Sequence, residues 1–556
     1  MSVQKQVLIL NVTRMGDLVQ TVPLLARLEQ EWPGVAIDLV VDTRFASMAA
    51  LLPGLRQVHT HHFKNALDNT EGHESLTPDL IAWAHSLAAI GYDRVINLTF
   101  TRWSGLLAAA IGAPDTRGVV TTKGISILKN PWLAYVVDMH QFRRFNRVNV
   151  ADLFALGGSG HGSHQPIRFT VSSQAVEWAR TRVAAYRTLG LPLVAVQVSA
   201  SKAKKAWRPE YFGQTMAALS RQTPCVFVLT GITTDADAVA DAVAAYQAAG
   251  GNGTLCDMAG QTDVHQLAAL LQECQLVLAS DTGPMHLAVG VGTAVINLSV
   301  GHVDFRETGP YGPGHWVVQP MLDCAPCDMV EACAHHRCKD LIVPEQVAEL
   351  ARHVLGVAPF PECWTGVRVY QSAIDADGLV CYQQRAGHCD AMTEWYGTFW
   401  RRFWYEQFTG RTSSVPHELA PPDLAEQQQC FHQVASEVDQ VVQHAERLAT
   451  LCHQPTVTAS ELKAAQDELI AARQAVIPTA MASPAFGPVT TALLRDLYDG
   501  RVVDTITRAE QQAHAYRTWK IRLYEALDRL QRTPHANGTE YMLGDRVRGA
   551  NEECLR

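Results

Sequence analysis

Short apolar runs alternate with amphipathic stretches over the first two thirds of the chain. Each run is mainly hydrophobic, which is typical of a strand buried on both faces of a parallel sheet. The stretches between the runs carry apolar residues at helical spacing. The predicted strands lie at 7–12, 36–42, 92–98, 193–199, 225–231, 276–281 and 294–301. This alternation predicts an α/β fold with parallel sheets covered by helices.

A polar segment divides the alternation into two parts. Residues 157–166, GGSGHGSHQP, have no apolar periodicity and are typical of an interdomain linker. After about residue 356 the pattern changes to long helical stretches rich in Gln, Ala, Glu and Arg. We therefore predict two Rossmann-like domains, 1–160 and 161–355, followed by a mainly helical extension, 356–556. Ligands of such sheets bind beyond the carboxyl ends of the strands.

The extension contains an aromatic segment, EWYGTFWRRFWYEQF, at 394–408. Its aromatic residues form two neighbouring stripes at helical spacing. Because aromatic side chains bury large areas, the core of the helical region is the favoured interpretation. A partner surface or a helix lying in a membrane interface is the alternative.

The composition is that of a folded chain, with 47% hydrophobic and 18% charged residues among 556. The formal net charge of -9 provides no overall basic field, which argues against a nucleic acid as the main partner. The sequence contains no run of about 18 uncharged apolar residues, so it predicts no helix that spans a membrane. The N-terminus lacks the pattern of a cleavable signal. We expect a cytoplasmic protein, with peripheral attachment to the inner membrane as an open alternative.

The stretch ASDTGPMHLAVGVG, at 279–292, ends an apolar strand and begins a helix. A helix N-terminus offers unsatisfied N–H groups and a favourable dipole, so Gly283 and its neighbours can hold a phosphate. Asp281 and Thr282 can add side-chain hydrogen bonds, and His286 can donate to a phosphate oxygen. The alternatives are an ordinary N-cap for Asp281 or Thr282 and a buried structural histidine for His286.

Two further strand ends carry polar groups. In SASKAKKAWRPEYF, at 199–212, Ser199 and Ser201 precede lysines that can neutralise a diphosphate as point charges. A solvated basic loop is the alternative for this stretch. In the N-terminal TRMGDLVQ, Gly16 permits a tight turn or a close substrate approach, and Asp17 can face a cleft as a general base. An ordinary turn aspartate is the alternative there.

These motifs together resemble a known family. RMGDLVQTVPLLARL, SASKAKKAWRPEYF, AGQTDVHQLAALL and LVLASDTGPMHLAVGVGTAVINLSVG closely resemble glycosyltransferase family 9, the bacterial ADP-heptose heptosyltransferases. The resemblance covers about residues 5–352. It implies the GT-B fold, in which two Rossmann-like domains face a cleft, and sugar transfer with inversion and without a catalytic metal.

The resemblance also implies a role for each matching residue. Asp17 corresponds to the general base that takes the acceptor proton, with Arg14 and Gly16 on the acceptor side. Lys205 corresponds to the lysine that contacts the diphosphate. The remaining donor-binding residues implied are Ser199, Ser201, Asp235, Asp281, Thr282, Gly283 and His286. Asp235 stands where the family usually has a glutamate near the nucleoside.

A cysteine group, CAPCDMVEACAHHRC, has the spacing C-x2-C-x5-C-x4-C. Cys324, Cys327, Cys333 and Cys338 suit a tetrathiolate site for structural zinc or iron. Reduced buried thiols are the alternative, and the adjacent histidines can also serve as ligands. The resemblance agrees, since many family members have such groups and related autotransporter heptosyltransferases bind iron.

We therefore predict an inverting glycosyltransferase that moves a heptose from a nucleotide-sugar donor, ADP-heptose, to a lipopolysaccharide-core or protein acceptor. A non-catalytic nucleotide-sugar-binding scaffold, or a transferase of another sugar such as N-acetylglucosamine, is the alternative. The extension can recognise a protein acceptor, mediate oligomerisation or lie against the membrane. Its sequence does not decide among these roles.

Overall fold

The computed structural model describes most of the chain. The described residues are 4–63, 78–123, 125–160, 162, 164–327, 333–417, 419, 425–499 and 504–532. Among the helices in these ranges, none is long and apolar enough to cross a membrane.

Each of the seven predicted apolar runs contains a strand, and the described residues also form strands that the sequence did not predict. Their bounds are β1 (Gln6–Leu10), β2 (Ala36–Asp42), β3 (Leu55–His61), β4 (Arg94–Asn97), β5 (Asp115–Thr122), β6 (Ile125–Lys129), β7 (Leu193–Gln197), β8 (Val226–Thr230), β9 (Thr254–Asp257), β10 (Leu276–Ser280), β11 (Ala294–Leu298), β12 (Trp316–Pro320), β13 (Val367–Ile374) and β14 (Val380–Ala386).

The helices fall between the strands and dominate after residue 390. Their bounds are α1 (Met15–Val19), α2 (Val22–Glu31), α3 (Ala46–Ala49), α4 (Pro78–Ala88), α5 (Arg102–Ile111), α6 (Pro131–Asp138), α7 (Val150–Ser159), α8 (Ser173–Arg187), α9 (Pro209–Gln222), α10 (Ala236–Ala248), α11 (Val264–Gln272), α12 (Gly283–Gly290), α13 (Phe305–Thr308), α14 (Arg337–Asp340), α15 (Pro344–Val354), α16 (Ala391–Thr409), α17 (Ala425–Cys452), α18 (Ala459–Ala482), α19 (Gly487–Asp499) and α20 (Thr505–Arg532).

The chain forms two compact units, each discontinuous in sequence. Among the described residues, the first contains those within 4–63 and 148–389, and the second contains those within 78–147 and 390–532. The sequence predicted contiguous domains that meet at residues 160 and 355. Those domain boundaries stay a prediction.

In the first unit, strands β1 and β2 pair in parallel, and β2 pairs in parallel with β3. Strand β2 is buried along its whole length, including its two carboxylates, Asp38 within the apolar run and Asp42 at its end. Strand β1, which is buried from residue 7 onward, ends at Leu10, and after four further residues the chain enters α1. This short connection places Asp17 just beyond the carboxyl end of β1.

The same unit contains an eight-stranded sheet in the order β14-β13-β12-β11-β10-β7-β8-β9. Strands β7 to β12 pair in parallel, whereas β12 with β13 and β13 with β14 pair antiparallel. Its core includes the fully buried Trp207, Phe212 and Phe227. Because β10 lies between β7 and β11, the carboxyl ends of these three strands are neighbours. The antiparallel hairpin of β13 and β14 lies where the sequence predicted the start of the helical extension.

In the second unit, β4 pairs in parallel with β5, and β5 pairs antiparallel with β6. Its helices α16 to α20 are the predicted helical region. Six of the eight aromatic residues of α16 are almost completely buried, and the other two, Tyr405 and Phe408, are half-buried. The six are Trp395, Tyr396, Phe399, Trp400, Phe403 and Trp404. The Trp400 indole donates a hydrogen bond of 2.8 Å to the carbonyl of Pro484. The core interpretation of this segment is confirmed.

Candidate active site

Helix α12 begins directly after the buried strand β10. Thr282 occupies the N-cap position with an extended backbone, and Pro284 lies in the first turn. The Thr282 side chain, although only 7% exposed, does not cap the helix. Within the described part of the chain, its Oγ1 has no hydrogen-bond partner. A buried hydroxyl without a partner is costly in a folded protein, so this atom is suited to meeting a ligand.

Two glycines allow the N-terminal ends of α1 and α12 to meet. A Cβ added to Gly16 would lie 3.0 Å from Cδ2 of His286. A Cβ added to Gly283 would lie 2.5 Å from Sδ of Met15. The sequence predicted a tight turn or a close substrate approach at Gly16, and the neighbour that the structure shows there is the His286 ring. Asp17 is thereby brought to the edge of the predicted phosphate site.

His286 lies at the centre of this arrangement and is 4% exposed. Burial lowers its pKa, while the carboxylates of Asp281 and Asp17 oppose that shift and Lys205 adds to it. These three charged groups therefore all act on one ring. Among the described residues, Nδ1 of His286 has no hydrogen-bond partner. A neutral, buried imidazole can still donate one hydrogen bond to a phosphate oxygen.

Lys205 and Asp281 form a largely buried ion pair. Lys205 Nζ lies 3.3 Å from Asp281 Oδ1, and the two side chains are 11% and 13% exposed. Gly301, in the left-handed region with φ of 77°, packs against the backbone of the Lys205 loop. A Cβ there would lie 2.3 Å from the carbonyl oxygen of Lys204. The loop that carries Lys205 is therefore closely held beside the carboxyl end of β10.

Asp17 is held mainly through its backbone. Its carbonyl oxygen accepts hydrogen bonds of 3.0 Å from Nδ2 of Asn11 and from Oγ1 of Thr21. Its carboxylate accepts a single long bond of 3.3 Å from the N–H of Arg14, which is itself exposed. The backbone of Asp17 is thus fixed, while its half-exposed carboxylate can still accept a proton from a substrate.

The other predicted donor residues have local partners. Ser199 accepts a hydrogen bond of 2.8 Å from Gln197 Nε2, and Ser201 is exposed. Asp235 accepts a hydrogen bond of 2.8 Å from the N–H of Ile232, which closes the turn before α10. These residues follow β7 and β8 at the same edge of the sheet. Their contacts with a donor stay a prediction.

Thr308 is a site residue that the motifs did not identify. Its Oγ1 donates a hydrogen bond of 2.9 Å to Asp281 Oδ2. It ends the short helix α13, which follows β11, and β11 borders β10 in the sheet. The only available signal was the strand order, which the sequence alone does not specify.

The predicted metal group is described in part, because residues 328–332 lie outside the described ranges. Cys324 is exposed, Cys327 and Cys333 are half-buried, and Cys338 is buried. Burial raises the pKa of the Cys327 thiol, and the other three thiols add to that rise while Lys204 opposes it. No group of three or more His, Cys, Asp or Glu side chains forms a metal site within the described residues. Metal binding stays a prediction.

Residues 80–336 match the sequence profile described as glycosyltransferase family 9 (heptosyltransferase). The chain is thus similar to glycosyltransferase family 9 over somewhat less than half of its length. It is accordingly a glycosyltransferase, as the motifs predicted. The matched span is shorter than the stretch 5–352 over which the motifs resemble the family. It contains Lys205 and the start of α12, and it does not reach back to Asp17.

Two curated relatives are similar to this glycosyltransferase. Lipopolysaccharide heptosyltransferase 3 of Escherichia coli K12 is 24% identical over 297 residues, which are 52% of this chain and 82% of that protein. Lipopolysaccharide core heptosyltransferase OpsX of Haemophilus influenzae is 45% identical over 58 residues, which are 10% of this chain and 16% of that protein.

A solved structure supports the predicted fold class. The family 9 glycosyl transferase of Veillonella parvula has a TM-score of 0.50 and 19% sequence identity to this chain. The match covers 64% of this chain and 99% of the Veillonella protein. The prediction of a GT-B fold with a mainly helical C-terminal extension is confirmed. The remaining third of the chain has no counterpart in that structure.

Proposed function

We propose that this glycosyltransferase transfers a heptose from ADP-heptose to an acceptor hydroxyl. The observation that carries the proposal is the buried pair of Lys205 and Asp281 beside the first turn of α12. Similarity to a lipopolysaccharide heptosyltransferase over 82% of its length supports the sugar. A lipopolysaccharide core is the proposed acceptor, and a protein acceptor recognised by the extension is the alternative. We place the reaction in the cytoplasm, with peripheral attachment to the inner membrane as the alternative.

The donor diphosphate is proposed to lie at the N-terminus of α12. The Gly283 region supplies backbone N–H groups, and the helix dipole favours negative charge there. The Thr282 hydroxyl, which is buried without a partner among the described residues, supplies a further donor. Lys205 supplies a full positive charge from the opposite loop. Departure of a nucleoside diphosphate builds charge on its oxygens, which these groups stabilise.

Asp17 is proposed as the general base of a single displacement. The acceptor oxygen forms a bond to the anomeric carbon while the bond from that carbon to the diphosphate oxygen breaks. The acceptor proton passes to the carboxylate of Asp17, and the diphosphate leaves with the electron pair. The contact of Gly16 with His286 supports this role, because it holds Asp17 beside the donor groups.

We further propose that the cysteine group holds a structural zinc or iron. Four thiols that influence one another electrostatically provide the soft ligands that these metals prefer. The group also adjoins the Lys205 loop. The N–H of Cys327 donates to the carbonyl of Gly301 at 3.1 Å, and Lys339 Nζ donates to the carbonyl of Ala203 at 2.8 Å. The metal would therefore stabilise the loop that presents Lys205.

The proposal is tested by incubating the purified chain with ADP-heptose or UDP-N-acetylglucosamine and with lipopolysaccharide lacking its outer heptoses. Release of nucleoside diphosphate that depends on both ADP-heptose and acceptor supports the proposal. Turnover with UDP-N-acetylglucosamine alone would establish another sugar. Donor binding without turnover by any acceptor would establish the scaffold alternative. The variant Lys205→Gln is the control, because it removes the charge at similar length and should abolish donor binding.

A further inference from the structure

Both oxygens of Asp281 have partners, and they are of different kinds. Lys205 Nζ lies 3.3 Å from Oδ1, and Thr308 Oγ1 donates to Oδ2 at 2.9 Å. The terminal torsion of an aspartate is broad and roughly two-fold, so a carboxylate with one partner can rotate. The Thr308 bond removes that freedom and leaves one defined oxygen facing Lys205.

Helix α13, which carries Thr308, is itself firmly anchored. Asp304 caps it by accepting a hydrogen bond of 3.0 Å from the N–H of Arg306. The Arg306 guanidinium lies 4.5 Å from the ring centroid of Phe305 and 5.0 Å from that of Tyr370. Its Nη2 also donates to the Tyr370 hydroxyl at 3.2 Å. Cation–π contacts with two rings stabilise this buried guanidinium, so Arg306 holds α13 in place.

The chain that leaves α13 has little room to shift. A Cβ on Gly309 would lie 2.4 Å from the carbonyl oxygen of Phe305 and 2.7 Å from the Tyr382 hydroxyl. Tyr382 belongs to β14 and Tyr370 belongs to β13. The hairpin that supports α13 thus lies entirely beyond residue 336, where the match to the family ends.

We propose that Thr308 is a positioning residue for the donor, and that the β13–β14 hairpin supports it. Thr308 keeps Asp281 from turning both oxygens toward Lys205. Lys205 is then held by one oxygen only and is free to exchange it for the donor diphosphate. Without the Thr308 hydroxyl, Asp281 rotates and retains Lys205 more strongly. This inference rests on the proposed function, because it takes the α12 site to bind a nucleoside diphosphate.

The test compares Thr308→Val, which has nearly the same shape without the hydroxyl, with Thr308→Ser, which keeps the hydroxyl. ADP binding is measured by isothermal titration calorimetry, and the donor KM and kcat are measured by diphosphate release. A hydrogen bond to a charged group is expected to change affinity by about tenfold or more. We expect Thr308→Val to raise the Kd for ADP and the donor KM about tenfold, with kcat within about twofold of the native value. Thr308→Ser should stay within about threefold of the native chain in all three.

A second variant and the native chain complete the experiment. Tyr370→Phe removes the acceptor of the Arg306 bond and should weaken ADP binding by about threefold, while the protein stays folded at the assay temperature. The inference is overturned if Thr308→Val binds ADP as tightly as the native chain, or if Thr308→Ser is as weak as Thr308→Val. A native chain that neither binds ADP nor turns over the donor refutes the proposed function itself. Native binding with an unaffected valine variant refutes the inference alone.

Discussion

Replacement of Gly16 by alanine should displace Asp17, and so lower activity, with little effect on the stability of the fold. The added Cβ would lie 3.0 Å from Cδ2 and 3.2 Å from Nε2 of His286, whereas ordinary contact begins at 3.4 Å. The His286 ring is buried and cannot swing away. The end of α1 must therefore move by about 0.4 Å, and Asp17 is the next residue in the chain.

The expected effect on stability is small because two contributions oppose each other. Overpacking costs about 1–3 kcal/mol. Alanine in a helix is favoured over glycine by about 1 kcal/mol, and Gly16 lies within α1. The free energy of unfolding should fall by no more than about 2 kcal/mol. Activity depends on position more steeply, since a misplacement of about 1 Å can reduce a rate about 100-fold.

We expect Gly16→Ala to lower kcat/KM about tenfold while urea denaturation shows a near-native midpoint. Diphosphate release with saturating acceptor provides the rate. Gly162→Ala is the matched control, because its Cβ would meet Arg27 only at an ordinary 3.7 Å. Activity of Gly16→Ala within twofold of the control would refute the argument that this glycine sets the position of Asp17.

Three further predictions concern the base, the cysteine group and pH. Asp17→Asn should lower kcat/KM by about 100-fold or more with unchanged ADP affinity, because a general base contributes about that factor; unchanged turnover would exclude Asp17 as the base. Cys338→Ser should lower the content of bound zinc or iron, measured by elemental analysis, and should weaken ADP binding because the cysteine group adjoins the Lys205 loop. Native ADP affinity in a metal-free variant would show that the metal does not support that loop. Burial lowers the pKa of His315 to about 4, so between about pH 6.5 and 4 the unfolded chain binds a proton that the folded chain does not. Stability should therefore fall as the pH falls through this window, and His315→Asn should flatten the dependence of the urea midpoint on pH. An identical slope in both proteins would contradict the assignment.

The buried strands were predictable because their pattern is local. Strands that are covered on both faces are mainly apolar, and the strands that end at Leu10 and Ser280 are buried in the structure apart from Gln6. The anion-binding character of ASDTGP was also predictable, because a glycine and a proline at a helix start have defined backbone consequences. Local chemistry thus indicated the family and most of the candidate site.

The hairpin of β13 and β14 was not predicted. Its strands are only partly buried and contain polar residues such as Arg368 and Gln383, so no strong period marks them. Their pairing depends on β12, which lies about 50 residues earlier in the chain and provides an edge of the sheet. The sequence alone does not show that this edge is available.

By itself, the sequence indicated seven of the strands and the long helical region, which residues have phosphate-binding and proton-accepting chemistry, and which family they resemble. Only the tertiary structure decided that the Thr282 hydroxyl is buried without capping its helix, that His286 packs on Gly16, and that Thr308 holds Asp281. The physical reason is the range of the interactions. The spacing of hydrophobic residues and the groups at a helix terminus are set by residues that are neighbours in the chain. The strand order and the packing of α1 on α12 instead depend on contacts between residues that are far apart in the chain.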